Sequence, residues 1–378
     1  MPGWSLETST GSRDRTRAGD GEARFLPPAT SRFSLECLSL VPGHPMSNFQ
    51  ALRVQQGSSG RFARLEPVTL GELTPGEVVI RVAYSGLNYK DALAVTGKGS
   101  IARGYPRTAG IDLAGVVEDS SDPAWRPGER VLATGAGLGE SLDGGFAERA
   151  RLPAAALVPL PAGLSLFEAM ALGTAGFTAA LALRRLLENH QVPELGPVAV
   201  TGASGGVGGI ALGLLKRTGF TTAAITGKPD AAEYLRRLGA DRVVARDSLA
   251  TSGKPLETAV WGGAVDNLGG ETLAYLTRTV KPWGNIACVG LAQSAALNTT
   301  VMPLILRGVS LLGIHSVEVP RAWRLAVWEK LAGEWKPHDI ERLIVRAVIG
   351  LEEVPRACEE LIAGGARGRY VVRIGGDL

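Results

Sequence analysis

Four consecutive residues, Asn88, Tyr89, Lys90 and Asp91, follow the apolar run that closes at Gly86. Tyrosine carries a weak acid at the tip of a rigid ring, so Tyr89 is a candidate to donate a proton or hydrogen bond to a reacting carbonyl or enolate. Asn88 can fix an amide or carbonyl, while Lys90 and Asp91 can pair with each other or cap a helix starting here. The structural alternatives are Asp91 as a charge in a first helical turn and Tyr89 as a half-buried core aromatic.

A second group is "VTGASGGVGG", residues 200–209, lying between the β-rich "PVAVTG" and the helical pattern "GGVGGIALGLLKRTG". At a strand-to-helix turn this reads as a dinucleotide-phosphate motif of the form A-x-G-x-x-G. Ala203 then stands at the tight turn, Gly205 where backbone approaches the pyrophosphate, and Gly208 where helix packs on strand. The helix N-terminus adds N–H donors and the positive end of its dipole. A glycine-rich loop that merely permits a turn is the alternative.

The next strand ends "AAITGK". An NAD site carries Asp or Glu there to accept from the ribose 2′-OH. This chain offers Thr226, Gly227 and Lys228 instead, donors where NAD wants an acceptor, so NADP is the expected dinucleotide. The nearest acid, Asp230, precedes Glu233 by three residues and reads as an N-cap with a capping box. Arg246, after the following strand, is a second candidate cation for the 2′-phosphate or a stacking partner for adenine; a solvated arginine at a strand end is the alternative.

The elements that must hold these groups show in the pattern. "EVVIRVAYSG" (77–86), "IDLAGVVED" (111–119), "PGERVLAT" (127–134) and "GGFAERARLPAAALVPLP" (144–161) predict a β-rich first region. "SLFEAMALGTAGFTAALALRRLL" (165–187) spaces apolar residues by three and four after a Ser165/Glu168 capping box, predicting a long helix. Strands and helices then alternate through "FTTAAITG", "DAAEYLRRLG", "DRVVAR", "GAVDNLG", "ETLAYLTRTV" and "GNIACVG". That order predicts an α/β fold with a doubly wound parallel sheet.

The 378 residues suit two domains, and 45% hydrophobic with 20% charged residues is an ordinary globular composition. Lys+Arg of 40 against Asp+Glu of 37 gives +3, which does not suggest a nucleic-acid or membrane surface and leaves a small, anionic ligand as the expected partner. Cys37, Cys288 and Cys358 lie too far apart for a disulfide framework or metal knuckle, which fits a reducing cytosol. Gly, Pro or charge interrupts every hydrophobic segment, so no membrane span is expected. Residues 1–45, with five Arg matched by five acids and no sustained period, read as a disordered leader, and Met46 as a possible start of the folded chain or of the protein.

One resemblance covers nearly all of the remainder. "SGLNYKDALAVTGKG", "GIDLAGVV", "GTAGFTAAL", "VTGASGGVG", "EYLRRLGADRVVARD" and "TTVMPLILRGVSLLGIHSV" resemble the medium-chain dehydrogenase/reductase superfamily, in its zinc-free acrylyl-CoA reductase branch, also labelled quinone oxidoreductase-like. The resemblance implies a GroES-like catalytic domain from residues 46–170 and 317–378, a Rossmann domain over 171–316, and NADPH in the cleft. It places Tyr89 at the nicotinamide, with Asn88 and Asp91 as further catalytic candidates. Ser204, Gly205, Gly206 and Val207 fall at the pyrophosphate. Thr226, Gly227, Lys228 and Arg246 surround the adenosine phosphate, and Leu291, Ile305 and Ser316 line the nicotinamide side. Ile305 also reads as core, and Leu291 as the end of a sheet strand. "AGGARGRYVV" has small residues where the family presents polar ones, which departs from the pattern at Gly364.

Zinc-dependent relatives carry Gly-His-Glu where this chain has Gly110, Ile111 and Asp112, and a four-cysteine lobe where it has "TGAGLGESLDGG". His44, His190, His315 and His338 are scattered, so no metal site is expected. A zinc-free NADPH site suits conjugate reduction, with hydride added at the β-carbon and a proton at the α-carbon of an enoyl thioester. Acryloyl-CoA is the expected acceptor. A quinone or alkenal is the alternative, and a non-catalytic NADPH-binding protein a third. The family also implies a homodimer through Rossmann edge strands, here from "GNIACVGL" to "SLLGIHSV".

Overall fold

The computed structural model describes residues 48–376 apart from 59 and 250–252. The expected leader and Cys37 lie outside the described residues. Strands β1 (Phe49–Gly57) and β2 (Gly60–Val68) form an antiparallel hairpin, with Phe49 opposite Val68 and Gly57 opposite Gly60. Next come β3 (Val78–Leu87), helix α1 (Tyr89–Val95), β4 (Arg107–Thr108), β5 (Asp112–Ser120), β6 (Arg130–Thr134), β7 (Arg149–Leu152) and β8 (Val158–Pro159).

Helix α2 (Leu166–Glu188) opens on the expected capping box: Ser165 Oγ accepts from the Glu168 N–H, and the Glu168 carboxylate accepts from the Ser165 N–H. Strand and helix then alternate through β9 (Val198–Thr201), α3 (Gly206–Arg217), β10 (Thr222–Thr226), α4 (Ala232–Arg237), β11 (Arg242–Ala245), β12 (Gly263–Asp266), α5 (Gly270–Thr279), β13 (Asn285–Cys288), α6 (Met302–Arg307) and β14 (Ser310–Gly313). The chain closes with α7 (Arg321–Ala332), β15 (Val345–Ile349), α8 (Val354–Ile362) and β16 (Arg369–Arg373).

Among the described residues these strands form three sheets. The first pairs β2, β1 and β4. The second orders β15-β16-β3-β5-β6-β8, with β7 also on β3, so the last strand of the chain lies antiparallel to β3, Tyr370 opposite Leu87. The third is parallel throughout in the order β11-β10-β9-β12-β13-β14. Its central strands β9, β10 and β12 are buried along their whole length, which accounts for their continuous apolar reading. The strand order reverses between β9 and β12, the switch point at whose carboxyl ends a sheet of this kind takes its ligand. The fold is thus a GroES-like β-rich domain with a Rossmann-like parallel sheet.

Helix α2 joins the two sheets' cores. It includes a stretch of 18 residues with mean hydropathy 1.5, long and apolar enough to cross a membrane, but 83% of that stretch is buried inside the protein. Gly173 and Gly176 interrupt the stretch as expected, without making it polar. Phe177, fully buried, stacks on Trp328 at 6.0 Å between ring centroids, and burying such a ring contributes about 2 kcal/mol. The expected border between residues 170 and 171 falls inside α2, just before its kink at Gly173 (φ 51°, ψ −153°), a backbone conformation that favours glycine.

Candidate functional site

The polar cluster after β3 is locked at its base. Asn88 is the N-cap of α1, and Asp91 Oδ2 accepts from the Asn88 N–H at 2.8 Å and from its Nδ2 at 3.3 Å. Asp91 Oδ1 accepts from the Ile111 N–H at 2.9 Å. Asp91 is 1% exposed and Asn88 is buried, and these hydrogen bonds spend their polar atoms on the start of α1 and on Ile111, the capping role that the sequence allowed for Asp91. Tyr89, by contrast, is 47% exposed at the first position of the helix. Lys90 does not pair with Asp91, because capping already occupies that carboxylate; its Nζ meets Glu140 at 2.7 Å.

Beneath them Asp112 and Arg369 meet within the protein. Asp112 accepts from Asn88 Nδ2 at 2.8 Å, the Thr174 N–H at 2.9 Å and Thr174 Oγ1 at 2.5 Å. The kink at Gly173 frees the Thr174 N–H for this bond, so Asp112 receives the start of the second half of α2. Arg369 Nη1 donates to Leu87 O at 2.7 Å and Asn88 Oδ1 at 2.8 Å, and its side chain runs against Gly206, where an added Cβ would lie 2.8 Å from Arg369 Cδ. The catalytic candidates and the start of α3 are thereby joined.

The glycine turn follows β9 as its motif requires. Gly202 has φ 57°, Gly205 is the N-cap of α3, and a Cβ at Gly208 would approach Gly202 O to 2.6 Å and Ala203 Cα to 2.7 Å. Gly208 thus packs helix on strand. A Cβ at Gly205 would have only Gly202 O near it, at 3.3 Å, which leaves open space where backbone would approach a phosphate. Ser204 is buried and its carbonyl accepts from the Gly368 N–H, while Gly206 and Val207 begin the helix, half-buried.

At the end of β10, Thr226 Oγ1 accepts from the Lys228 N–H at 3.0 Å, leaving its own O–H to donate. Lys228 Nζ donates to Ala366 O at 2.7 Å. Its pKa is lowered, first by burial and then by Arg367, with Arg346 adding to the repulsion. Arg246 lies over Gly227, where an added Cβ would be 3.2 Å from the guanidinium carbon, and pairs with Asp247 at 3.0 Å. This is crowded positive charge beside a strand end without an acid, a donor set that fits a 2′-phosphate. Asp230 does not cap α4: Pro229 starts a short 3-10 turn that moves the helix start to Ala232, and Asp230 pairs with Arg367. The stretch with small residues thus reaches this end through Ala366 O, Arg367 and the Gly368 N–H.

Two family models match, the alcohol dehydrogenase GroES-like domain over residues 74–162 and the zinc-binding dehydrogenase over 206–332. The putative quinone oxidoreductase YhfP of Bacillus subtilis is 45% identical over 327 residues, covering 86% of this chain and 99% of that protein. The acrylyl-CoA reductase AcuI of Ruegeria pomeroyi is 44% identical over 329 residues, again 86% of this chain and 99% of the relative. The chain belongs to the medium-chain dehydrogenase/reductase family. Among solved structures of the family, the yhdH oxidoreductase from Salmonella enterica in complex with NADP aligns with TM-score 0.83 at 43% identity, over 86% of this chain and 99% of that one. Bacillus subtilis yhfP with NAD bound aligns with TM-score 0.84 at 44% identity, with the same coverage of both chains.

Within this member of the medium-chain dehydrogenase/reductase family the three residues expected on the nicotinamide side, Leu291, Ile305 and Ser316, fall on separate segments. Ser316 is half-buried, and Arg324 holds the segment by donating to Ser316 O at 3.4 Å, Val317 O at 2.8 Å and Thr134 O at 2.7 Å. Leu291 is 66% exposed and lies beyond β13, which ends at Cys288, so it does not end a sheet strand. Ile305 is 73% exposed on α6, which corrects its reading as core. Among the described residues no group of three His, Cys, Asp or Glu is placed to hold a metal ion.

Sequence reasoning did not single out Asp112, Thr174 or Arg369 beneath the Asn88 cluster, nor a brace where β9 meets β12. There Thr201 Oγ1 donates to Asp266 Oδ1 at 2.7 Å, and Asn267 Nδ2 donates to Thr201 O at 2.7 Å, tying β9 to β12. The signal for the first three was Gly173 inside a helical pattern, directly before a hydroxyl residue.

Two buried carboxylates influence each other here, and one of them, Asp112, meets the Arg369 guanidinium at 3.5 Å. Burial and the charge of Asp112 push Asp91 up to about 7, against its bonds from Asn88 and Ile111. Burial also raises Asp112, with Arg369, Thr174 and Asn88 acting the other way. A carboxyl raised above its unfolded value contributes stability that is complete below the unfolded pKa and is lost as pH rises through the folded one. The Tm of the protein relative to its Asp91→Asn variant should therefore fall, by about 2–4 °C, between about pH 5.5 and about pH 8.5. Thermal melts of both proteins across that range check it; a constant difference would show that Asp91 does not titrate there.

Proposed function

We propose that this protein catalyses NADPH-dependent reduction of the C=C bond of a 2-enoyl thioester, acryloyl-CoA to propanoyl-CoA, without zinc. The observation that carries the reading is the exposed Tyr89 on a helix start whose preceding residue, Asn88, is hydrogen-bonded to an arginine lying against the first turn of the dinucleotide helix. Relatives named acrylyl-CoA reductase at 44% identity support the acceptor, and a neighbour crystallised with NADP supports the cofactor. Residues 171–316 would bind the dinucleotide, and 46–170 with 317–378 would carry the substrate.

NADPH, held by the dinucleotide-binding residues, would supply the hydride for the β-carbon of the acceptor, leaving negative charge on the thioester oxygen. The protein's part is to hold that charge and deliver one proton to the α-carbon. Tyr89 donates from its hydroxyl, to the enolate oxygen or to the α-carbon, while Asn88 and Asp91 fix the helix that carries it. Ser204, Gly205, Gly206 and Val207 present the turn and helix N-terminus to the pyrophosphate. Thr226, Gly227, Lys228 and Arg246 receive the 2′-phosphate. Ser316, held by Arg324, borders the nicotinamide. Ile305, Leu306, Val301 and Trp283 are exposed on the segments that flank the edge strand β14, which supports pairing of two copies there; Leu291 and Ile305 would border the nicotinamide side. The cytosol is the compartment we assign, on the separated cysteines.

Reduction of a quinone or alkenal is the second reading, favoured by the 45% identical relative named as a putative quinone oxidoreductase. Deuterium tracing separates the two: with NADPH deuterated at the transferred position, propanoyl-CoA should carry the label at its β-carbon. Label at the α-carbon, or none in an acyl product, would overturn the proposed reaction.

A further inference from the structure

Asp112 is fully buried, and the side-chain and backbone groups that bond or pair with its carboxylate are all donors: the Thr174 N–H and Oγ1, Asn88 Nδ2, and Arg369 Nη2 at 3.5 Å, with the Asp91 carboxyl held on the same Asn88 amide nitrogen. Arg369 is also buried, and among the described residues its Nη2 has no hydrogen-bond partner beyond that ion-pair contact. Its other nitrogens donate to Leu87 O, Asn88 Oδ1 and Ala171 O. The Asn88 amide is therefore held at both ends, its nitrogen by a carboxylate and its oxygen by a guanidinium. A flipped amide would set acceptor against acceptor and donor against donor, so one orientation is strongly favoured. Three glycines make the room: a Cβ at Gly86 or Gly173 would lie 2.6 Å from Arg369 Nη2, and one at Gly206 would meet Arg369 Cδ at 2.8 Å. Five segments, from β3, β5, α2, α3 and β16, converge on the residue just before Tyr89.

Burying this ion pair is costly, and a well-packed apolar replacement would give comparable stability. What the polar network adds is a fixed position. We propose that Asp112 and Arg369 are positioning residues that act through Asn88, setting the start of α1, and with it the Tyr89 hydroxyl, at its working distance from the dinucleotide turn. This rests on the reading of Tyr89 as the group that serves the acceptor.

The test combines turnover, cofactor binding and amide exchange on the full chain. Asp112→Asn keeps the shape but turns an NH2 toward donors. It should lower kcat about 30-fold while changing the NADPH Kd, read by tryptophan quenching, less than about threefold. Thr174→Val, which removes one donor, should lower kcat about fivefold in the same pattern. Asn88→Ala should match Asp112→Asn, and the double variant should be no more than about twofold worse than either, because both act through one contact. Losses that multiply, or an NADPH affinity that falls as far as kcat, would overturn the proposal. Should Asp112→Asn fail to fold, Thr174→Val with Asn88→Ala provides the same cycle. Amide exchange over residues 88–95 should rise in Thr174→Val while that of β9 stays unchanged; no rise there would overturn the clamp whether or not any acceptor is turned over. Failure of the underlying reaction would show separately, as a wild-type protein without turnover.

Discussion

Replacing Lys228 by alanine should raise the Kd for NADPH by about 30- to 100-fold and that for NADH by less than about threefold, a charge-assisted contact to one phosphate being worth about 2–3 kcal/mol. The expectation follows from the charges at the end of β10. Lys228 is partly buried, crowded by Arg367 and Arg346, and anchored on Ala366 O, so its ammonium is oriented before any ligand arrives. Thr226 offers a hydroxyl where a ribose 2′-OH would need a carboxylate, and Arg246 covers Gly227 from the other side. A dianionic 2′-phosphate relieves the repulsion among these cations, while an uncharged ribose leaves it in place. Titration of both cofactors against both proteins decides the matter. Equal losses for NADPH and NADH would remove Lys228 from the 2′-phosphate.

The second large effect is expected at Tyr89. Phenylalanine there keeps the ring and removes the acid, and loss of a positioned proton donor costs about 100-fold in kcat. The Kd for NADPH should move less than about twofold, since the hydroxyl's task is at the acceptor. Tyr89 is the exposed member of the cluster, whereas Asn88 and Asp91 spend their hydrogen bonds on α1 and on Ile111. Steady-state rates with the two proteins at saturating NADPH test this. An unchanged kcat would take the hydroxyl out of the mechanism, and a fall in NADPH affinity of the same size would make Tyr89 a cofactor contact instead.

Local chemistry was legible in the chain, and long-range pairing was not. The capping box at Ser165, the strand-to-helix setting of "VTGASGGVGG" and the parallel alternation all depend on near neighbours, and each appears where its pattern puts it. The hydrogen bonds that organise the site join residues such as Leu87 and Arg369, 282 positions apart, and no period or spacing encodes such a pair. Lys90 shows the same limit: its neighbour Asp91 is the nearer acid in sequence, yet Glu140 is its partner in space. Asp230 does not cap because the short turn from Pro229 shifts the helix start by one residue, a change of boundary that cancels a cap. Leu291 and Ile305 rested on family likeness alone, and their exposure is a property that a single chain's sequence pattern does not carry.

The most direct test of the central claim is NADPH oxidation with acryloyl-CoA on metal-stripped protein, run beside NADH and beside a panel of quinones and alkenals. The account predicts fast turnover of acryloyl-CoA that prefers NADPH to NADH and needs no added metal. Turnover of quinones alone, restoration of activity only by zinc, or tight NADPH binding with no acceptor reduced would contradict it.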